Sequence, residues 1–216
     1  MADDSNAEQT RRRGAATRTD IDRAAIDLFA RLGYHATSMR AIGAAAGVQP
    51  AAIYHWYPNK EAILIHLQNE FMRQLTIDVE AAVACQVSAP YRLGAAVRAH
   101  VVFHGEHQQE AFVTDSEIRA LAPPARALLI GQRDDYQRFF HTMIEEGASE
   151  GQLHPINSQV ATYSILLQCT AVAQWFTADG PLSIAEVADQ HVDLVLGSLH
   201  ADRSLISDVV GAIQPL

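Results

Sequence analysis

The chain has 216 residues, a formal net charge of −9, 49% apolar and 19% charged residues, and two cysteines. That composition suits a protein of one or two folded domains and excludes a collagenous, disordered or disulfide-stapled chain. No stretch approaches the roughly 18 uninterrupted apolar residues of a membrane span, no apolar signal segment opens the chain, and Cys85 and Cys169 are too sparse for a metal set, so a reduced, cytoplasmic location is expected.

The charge is unevenly spread. Residues 11–60 hold seven Arg and Lys60 against three Asp, a local +5, whereas residues 61–216 hold eight Arg against nineteen acids, a local −11. A basic end on an acidic body points to a phosphate-binding head and a body with a separate task.

In chain order, residues 1–16, with Arg11-Arg12-Arg13, read as a flexible basic arm. Ile21, Ala24, Ala25, Leu28, Phe29 and Leu32 form the stripe of a helix beginning near Thr19, closed by Gly33. Thr37 or Ser38 caps a short second helix with Met39, Ile42 and Ala46 inward, ended by Gly47. A short third helix carries Pro50 in its first turn and stops before Pro58. Asn59 caps a longer helix from Lys60 to about Ala84. Helices follow near 91–109, 111–121, 124–149, 157–178 and 183–200, and residues 201–216 read as a loosely attached tail with about one helical turn. Strand alternation and hairpin turns are missing. The predicted fold class is therefore all-α, about nine helices: a three-helix domain over 17–64 and a larger bundle over 65–200.

Two short helices joined by a glycine turn, behind one longer helix, make a helix-turn-helix. Val48, Ile53, Tyr57 and Trp56 pack towards Ile21, Leu28 and Ile42, which leaves Gln49, Ala51, Ala52, Tyr54 and His55 outside. Small side chains at 51 and 52 let the helix enter a major groove about 12 Å wide.

Segment 17–64 resembles the DNA-binding domain of the TetR family of bacterial transcriptional regulators. The resemblance is carried by Gly33-Tyr34, Thr37-Ser38, Ile42, Ala46-Gly47-Val48, Tyr54, Tyr57, Lys60-Glu61 and Leu64. Gln49-Pro50 stands where the family often has Ser or Thr, Ala41 where it has Asp, and Tyr57 where it has Phe. The resemblance implies that Thr37, Ser38, Arg40, Tyr54 and Lys60 hold phosphates or approach bases. It implies that Gln49, Ala51, Ala52 and His55 face the groove, and that Arg11, Arg12, Arg13 and Arg18 follow the backbone or enter a minor groove. It further implies a ligand-responsive repressor acting as a homodimer through helices 157–178 and 183–200, with Trp175, Phe176, Val187, Val195 and Leu199 as apolar support. Its partners are then a palindromic double-stranded DNA operator and a hydrophobic small-molecule effector, such as an acyl-CoA or an aromatic or lipid catabolite.

In the second half, His100, His104 and His107 recur at i, i+4 and i+7, on the stripe of Leu93 and Val97. They read as a polar patch in an effector pocket lined by Val97, His100, Val101, His104, His107, Phe139, Phe140, Met143 and Gln168. The alternative is a metal-binding sensor or enzyme using the three histidines, with His141 as a fourth ligand. No nucleophile elbow, phosphate loop, dinucleotide fingerprint or paired-carboxylate motif supports an enzyme, so no catalytic residue, metal ligand or cofactor is assigned.

Overall fold

The computed structural model describes residues 18–213, so the arginine run 11–13 lies outside the described residues. Among them every regular element is helical: eleven α-helices and one 3-10 turn. The chain divides into two compact units. One takes in the chain to Glu70 together with Phe112–Ala127, and the other takes in Phe71–Ala111 and everything from Leu128 onward. The division falls inside a continuous helix, between Glu70 and Phe71.

The first unit contains α1 (18–32), α2 (Met39–Ala45), α3 (Pro50–Trp56) and the start of α4 (Lys60–Val83). It also holds the end of α6 (Gln108–Ser116), the 3-10 turn Ile118–Ala120 and the start of α7 (Pro123–Ser149). Its core holds the predicted Ile21, Ala25, Phe29, Ile42 and Ile53, joined by Ile63 and Leu64, all at most 1% exposed, whereas Leu32, expected on the same stripe, is 55% exposed. Asn59 caps α4, its side-chain oxygen accepting the Ala62 amide at 2.8 Å. Between α2 and α3 the chain turns through Gly47 at φ +67°, where the Gly47 amide bonds the Ala44 carbonyl and the Val48 amide bonds that of Gly43 at 3.0 Å. These two bonds satisfy carbonyls that the end of α2 would otherwise leave open.

The second unit is built around α5 (Ala89–Glu106), buried along most of its length. Against it pack α8 (Ser158–Thr170), the single turn α9 (Val172–Trp175), α10 (Ile184–Ser198) and α11 (Arg203–Ala212). The predicted helix 157–178 is thus interrupted at Ala171, where the Gln174 amide reaches back three residues instead of four, and it ends at Trp175. The tail predicted to be loosely attached is a ten-residue helix with Ile206 and Val209 buried. Gly94 explains its seat, because a Cβ there would come within 2.6 Å of Val209. Val187, Val195 and Leu199 are buried within this unit, so they form its core and are not the outward support expected of them. Val160, Tyr163 and Leu167 of α8, Trp175 of α9 and Leu194 of α10 are among the apolar side chains left outside, as are Ile77, Val87, Leu128, Ile130 and Ile156. Cys85 is exposed; Cys169 is buried, and burial pushes its thiol up to about 12. No helix of the described residues is long and apolar enough to cross a membrane.

Nothing lies within 4 Å of a Cβ added at Gly47, so a side chain there meets backbone strain alone. Gly47→Ala is expected to lower unfolding stability by about 1–2 kcal/mol, the cost of a left-handed non-glycine residue. Urea denaturation checks it, and an unchanged midpoint would mean that the turn relaxes to negative φ at no cost.

Candidate functional site

The outward face of α2 and α3 is assembled by local sequence chemistry. Ser38 caps α2, its hydroxyl oxygen accepting the Ala41 amide at 3.1 Å, and stays exposed beside exposed Arg40. Gln49 is the N-cap of α3 but makes no side-chain capping bond, and Pro50 starts the helix in its place. Gln49 and Ala51 are exposed, Ala52 is half-buried, Tyr54 is 56% exposed and His55 is exposed. Ile53 and Tyr57 point the other way, at 1% and 3%. The alternation follows the helical period, so one face of α3 holds the core and the other faces solvent.

Three residues assigned to DNA are turned inward instead. Thr37 is buried, and its hydroxyl donates to the Gly33 carbonyl at 2.9 Å. Lys60 directs its ammonium at the carbonyls of Tyr34 and Thr37, the latter at 2.7 Å, and lies 4.2 Å from the Tyr34 ring centre. Burial lowers the Lys60 pKa. The ammonium closes the turn between α1 and α2, so its donors are taken before a phosphate arrives. Arg18 lies over the rings of Trp56 and Tyr57, donating from Nε to the Tyr57 hydroxyl at 3.1 Å and from its terminal nitrogen to His66 Nδ1 at 2.9 Å. Thr37 is a buried hydroxyl fastening, and Lys60 and Arg18 are half-buried ones, because a long cation within reach of several carbonyls or rings gains more there than in solvent.

The sequence did not announce the group that Arg18 joins. The Tyr57 hydroxyl donates to Asp22 at 2.5 Å, and His66 Nε2 lies 3.2 Å from the other Asp22 oxygen. Burial, then the bond to Asp22, pushes the Tyr57 phenol up. Tyr57 in place of Phe is the signal that was present: a buried hydroxyl needs partners. Also unannounced are two carboxylate contacts to backbone amides. Glu117 accepts from Tyr34 N–H at 3.2 Å, and Glu61 accepts from Ala122 N–H at 2.8 Å. Burial first, then these two acids, raise the Tyr34 phenol.

In the second unit the structure brings His100 and His104 together, rings stacked at 4.1 Å. His100 bonds the Tyr136 hydroxyl through Nδ1 at 2.8 Å and Thr170 through Nε2 at 3.1 Å. His104 Nδ1 donates to the His100 carbonyl at 2.9 Å. His107 diverges, stacking on Phe103 and bonding its carbonyl. Both nitrogens of His100 are thus occupied, and no group of three or more potential metal ligands exists among the described residues, which corrects the metal alternative. His141 bonds Thr162 instead. Burial holds His100 well below its usual pKa and lowers His104 to about 4, so both are neutral near pH 7. Val97, Val101, Phe140 and Met143 are buried around this pair's helix and α7, while Phe139 and Gln168 are half-buried.

Comparison with known proteins gives two family matches: "Bacterial regulatory proteins, tetR family" over residues 21–67 and "Tetracyclin repressor-like, C-terminal domain" over residues 86–199. The chain is 26% identical over 174 residues to the HTH-type transcriptional repressor KstR2 of Mycobacterium tuberculosis, covering 80% of this chain and 87% of that one. A tetR-family regulatory protein from Rhodococcus RHA1 superposes with a TM-score of 0.80 at 30% identity, covering 87% of this chain and 98% of the other. AibR, solved with isovaleryl coenzyme A and operator DNA, superposes at 0.76 with 25% identity, covering 84% and 98%.

Lys60→Met should lower stability by about 1–2 kcal/mol, since it opens carbonyls that a charged donor filled. It should leave the salt dependence of DNA binding unchanged; a slope reduced by about one unit would place Lys60 on a phosphate after all. The buried histidines set a second expectation. An unfolded histidine titrates near 6.5 and His104 folded near 4, so its contribution is complete above pH 6.5 and is lost as pH falls towards 4. For His104 the loss amounts to about 3 kcal/mol. Urea midpoints measured across that window should fall, and fall less steeply in His104→Gln.

Proposed function

Because the chain belongs to the TetR family of bacterial transcriptional regulators, we propose that it is a repressor released from a palindromic operator by an acyl-CoA thioester. The observation that carries the DNA-binding half of this reading is the solvent-facing set on α2 and α3, which the folded head leaves outward while it turns Thr37, Lys60 and Arg18 inward. Ser38, Arg40 and Tyr54 are assigned to phosphates, and Gln49 and His55 to base edges in the major groove. Ala51 and Ala52 let α3 approach closely.

The choice of effector class is supported by AibR, a relative solved with isovaleryl coenzyme A and operator DNA. The second unit suits such a ligand. Neutral His100 and His104, with Tyr136, supply a few polar atoms amid Val97, Val101, Phe140 and Met143. Mostly apolar surroundings with a small number of orienting groups are what a hydrophobic ligand requires.

Dimerisation is assigned to α8, α9 and α10 through Val160, Tyr163, Leu167, Trp175 and Leu194. Val160, Tyr163 and Leu167 stand at i, i+3 and i+7, a stripe that a solitary soluble unit has no reason to expose. A two-fold dimer presents its α3 helices to half-sites about one helical turn, ~34–36 Å, or modestly further apart.

Two experiments test this reading. Selection of duplexes from a random pool should return a two-fold symmetric site, and acyl-CoA thioesters should release the protein from it in a gel shift; release by none of them sinks the effector assignment. Leu167→Asp should be monomeric by light scattering and bind the selected operator at least about tenfold more weakly, ~1.4 kcal/mol. A dimer that persists would move the interface off α8.

A further inference from the structure

Arg18 and His66 meet in a way that only one protonation state of the imidazole allows. A terminal guanidinium nitrogen of Arg18 lies 2.9 Å from His66 Nδ1, the shorter of its two contacts with that ring. A guanidinium has donors, no acceptor, and stays charged, so Nδ1 must accept. The neutral ring then carries its proton on Nε2 and donates it to Asp22 at 3.2 Å. Among the described residues His66 is the one acceptor that the terminal nitrogens of Arg18 reach, while its Nε is taken by the Tyr57 hydroxyl.

A second proton on His66 breaks that arrangement, because two donors and two positive charges would then face each other at 2.9 Å. The charged and titratable groups around the ring, among the described residues, are Arg18 and Asp22 of α1 and Tyr57 at the end of α3. Glu70, one turn further along α4, also acts on Arg18. Asp22 favours the imidazolium and holds it, so the group that leaves is Arg18, a long side chain in the first turn of α1. Its destination is close. The guanidinium sits 5.9 Å from the centre of the Trp56 ring, and that ring is 5.2 Å from His55, on the face of α3 assigned to base edges. A helix seated in a groove about 12 Å wide has phosphates along both walls. A phosphate also takes a guanidinium at two oxygens, where an imidazole offers one nitrogen.

We propose that Arg18 is a proton-gated phosphate ligand: neutral His66 keeps it fastened to the head, and the imidazolium releases it to the DNA backbone. Histidine is the side chain whose charge changes between about pH 5 and 8, so the exchange falls within that range. The sign follows from the geometry. Acidification adds one backbone contact and tightens binding. It does so on every DNA sequence alike, because a phosphate carries no base identity. The inference rests on the DNA-binding face described above and is independent of the effector.

The test uses the full-length protein and a duplex carrying the selected operator, with the salt dependence of binding measured at about pH 8 and about pH 5.8. One phosphate contact is worth a slope of about 0.9 in log K against log salt. His35 and His55 are exposed in the same unit, and their own protonation is common to every protein compared. His66→Gln offers an acceptor and a donor at either pH without a charge, and Arg18→Gln removes the cation. On acidification the slope should steepen by about 0.9 more in the parent than in either variant. Melting curves at both pH values show whether the variants are folded. Equal steepening in the three proteins would overturn the proposal. A second readout needs no variant and no DNA. NMR of the imidazole nitrogens in the free parent at about pH 8 should find His66 protonated at Nε2 and bare at Nδ1. A proton on Nδ1 there would remove the gate whatever the slopes. A parent that binds no duplex sinks the DNA-binding reading and this proposal with it, whereas a parent that binds with the same steepening as its variants sinks this proposal alone.

Discussion

Helices of seven residues do not hold their shape in water, because the first turn fixes several residues for a single hydrogen bond. α2 and α3 are both of that length, and the surface proposed to read DNA is built on them. Everything else in the head is a fastening for these two turns of chain. Gly47 closes α2, Ser38 opens it, and Lys60 clamps the carbonyls that lead into it. α3 has no side-chain cap at its start, so its fastening sits at the far end, where Tyr57 reaches Asp22 and Arg18. Apart from Ser38, which also caps α2, the exposed residues can then be chosen for recognition, since their side chains are not among these fastenings.

Local pattern was enough for the fold class, for the helices of the head and for their caps. The stripe of α1, the glycine at 47 and the proline at 50 act within one or two turns, and such signals survive in one dimension. Long side chains do not behave that way. Lys60 reaches carbonyls more than twenty positions earlier, and Arg18 reaches His66 from α1. Nothing near either residue in sequence distinguishes a clamp from a phosphate ligand. The body shows the same limit. Val187 and Val195 look like interface residues by polarity alone, but α10 turns them into its own unit and presents Leu194 instead. The helix α11 was missed for a related reason: its seat is made by Gly94, more than a hundred residues away, which leaves space for Val209.

The body stores its polar groups differently from the head. The head pairs charges and hydroxyls at its rim, with Asp22 and His66 still partly open to solvent. The body takes histidines to near-complete burial and keeps them neutral, each bonded to a hydroxyl or a backbone carbonyl. Both nitrogens of His100 and the Nδ1 donor of His104 are used within the fold, so these neutral imidazoles tie helices together without bringing in a charge.

The hydroxyl of Tyr57 also bears on how this head changes over evolutionary time. Asp22 is held by a phenol and an imidazole, and the phenol and imidazole both accept from Arg18. Phenylalanine at 57 would leave a mostly buried carboxylate short of a donor, and loss of Asp22 would leave Arg18 pressed on two rings without its counter-charge. Substitutions at these four positions are therefore not independent, with coupling energies of the order of 0.5–3 kcal/mol expected for residues sharing one network. With phenylalanine at 57 the link through the phenol would be gone, and substitutions at 18, 22 and 66 would no longer be tied to that position.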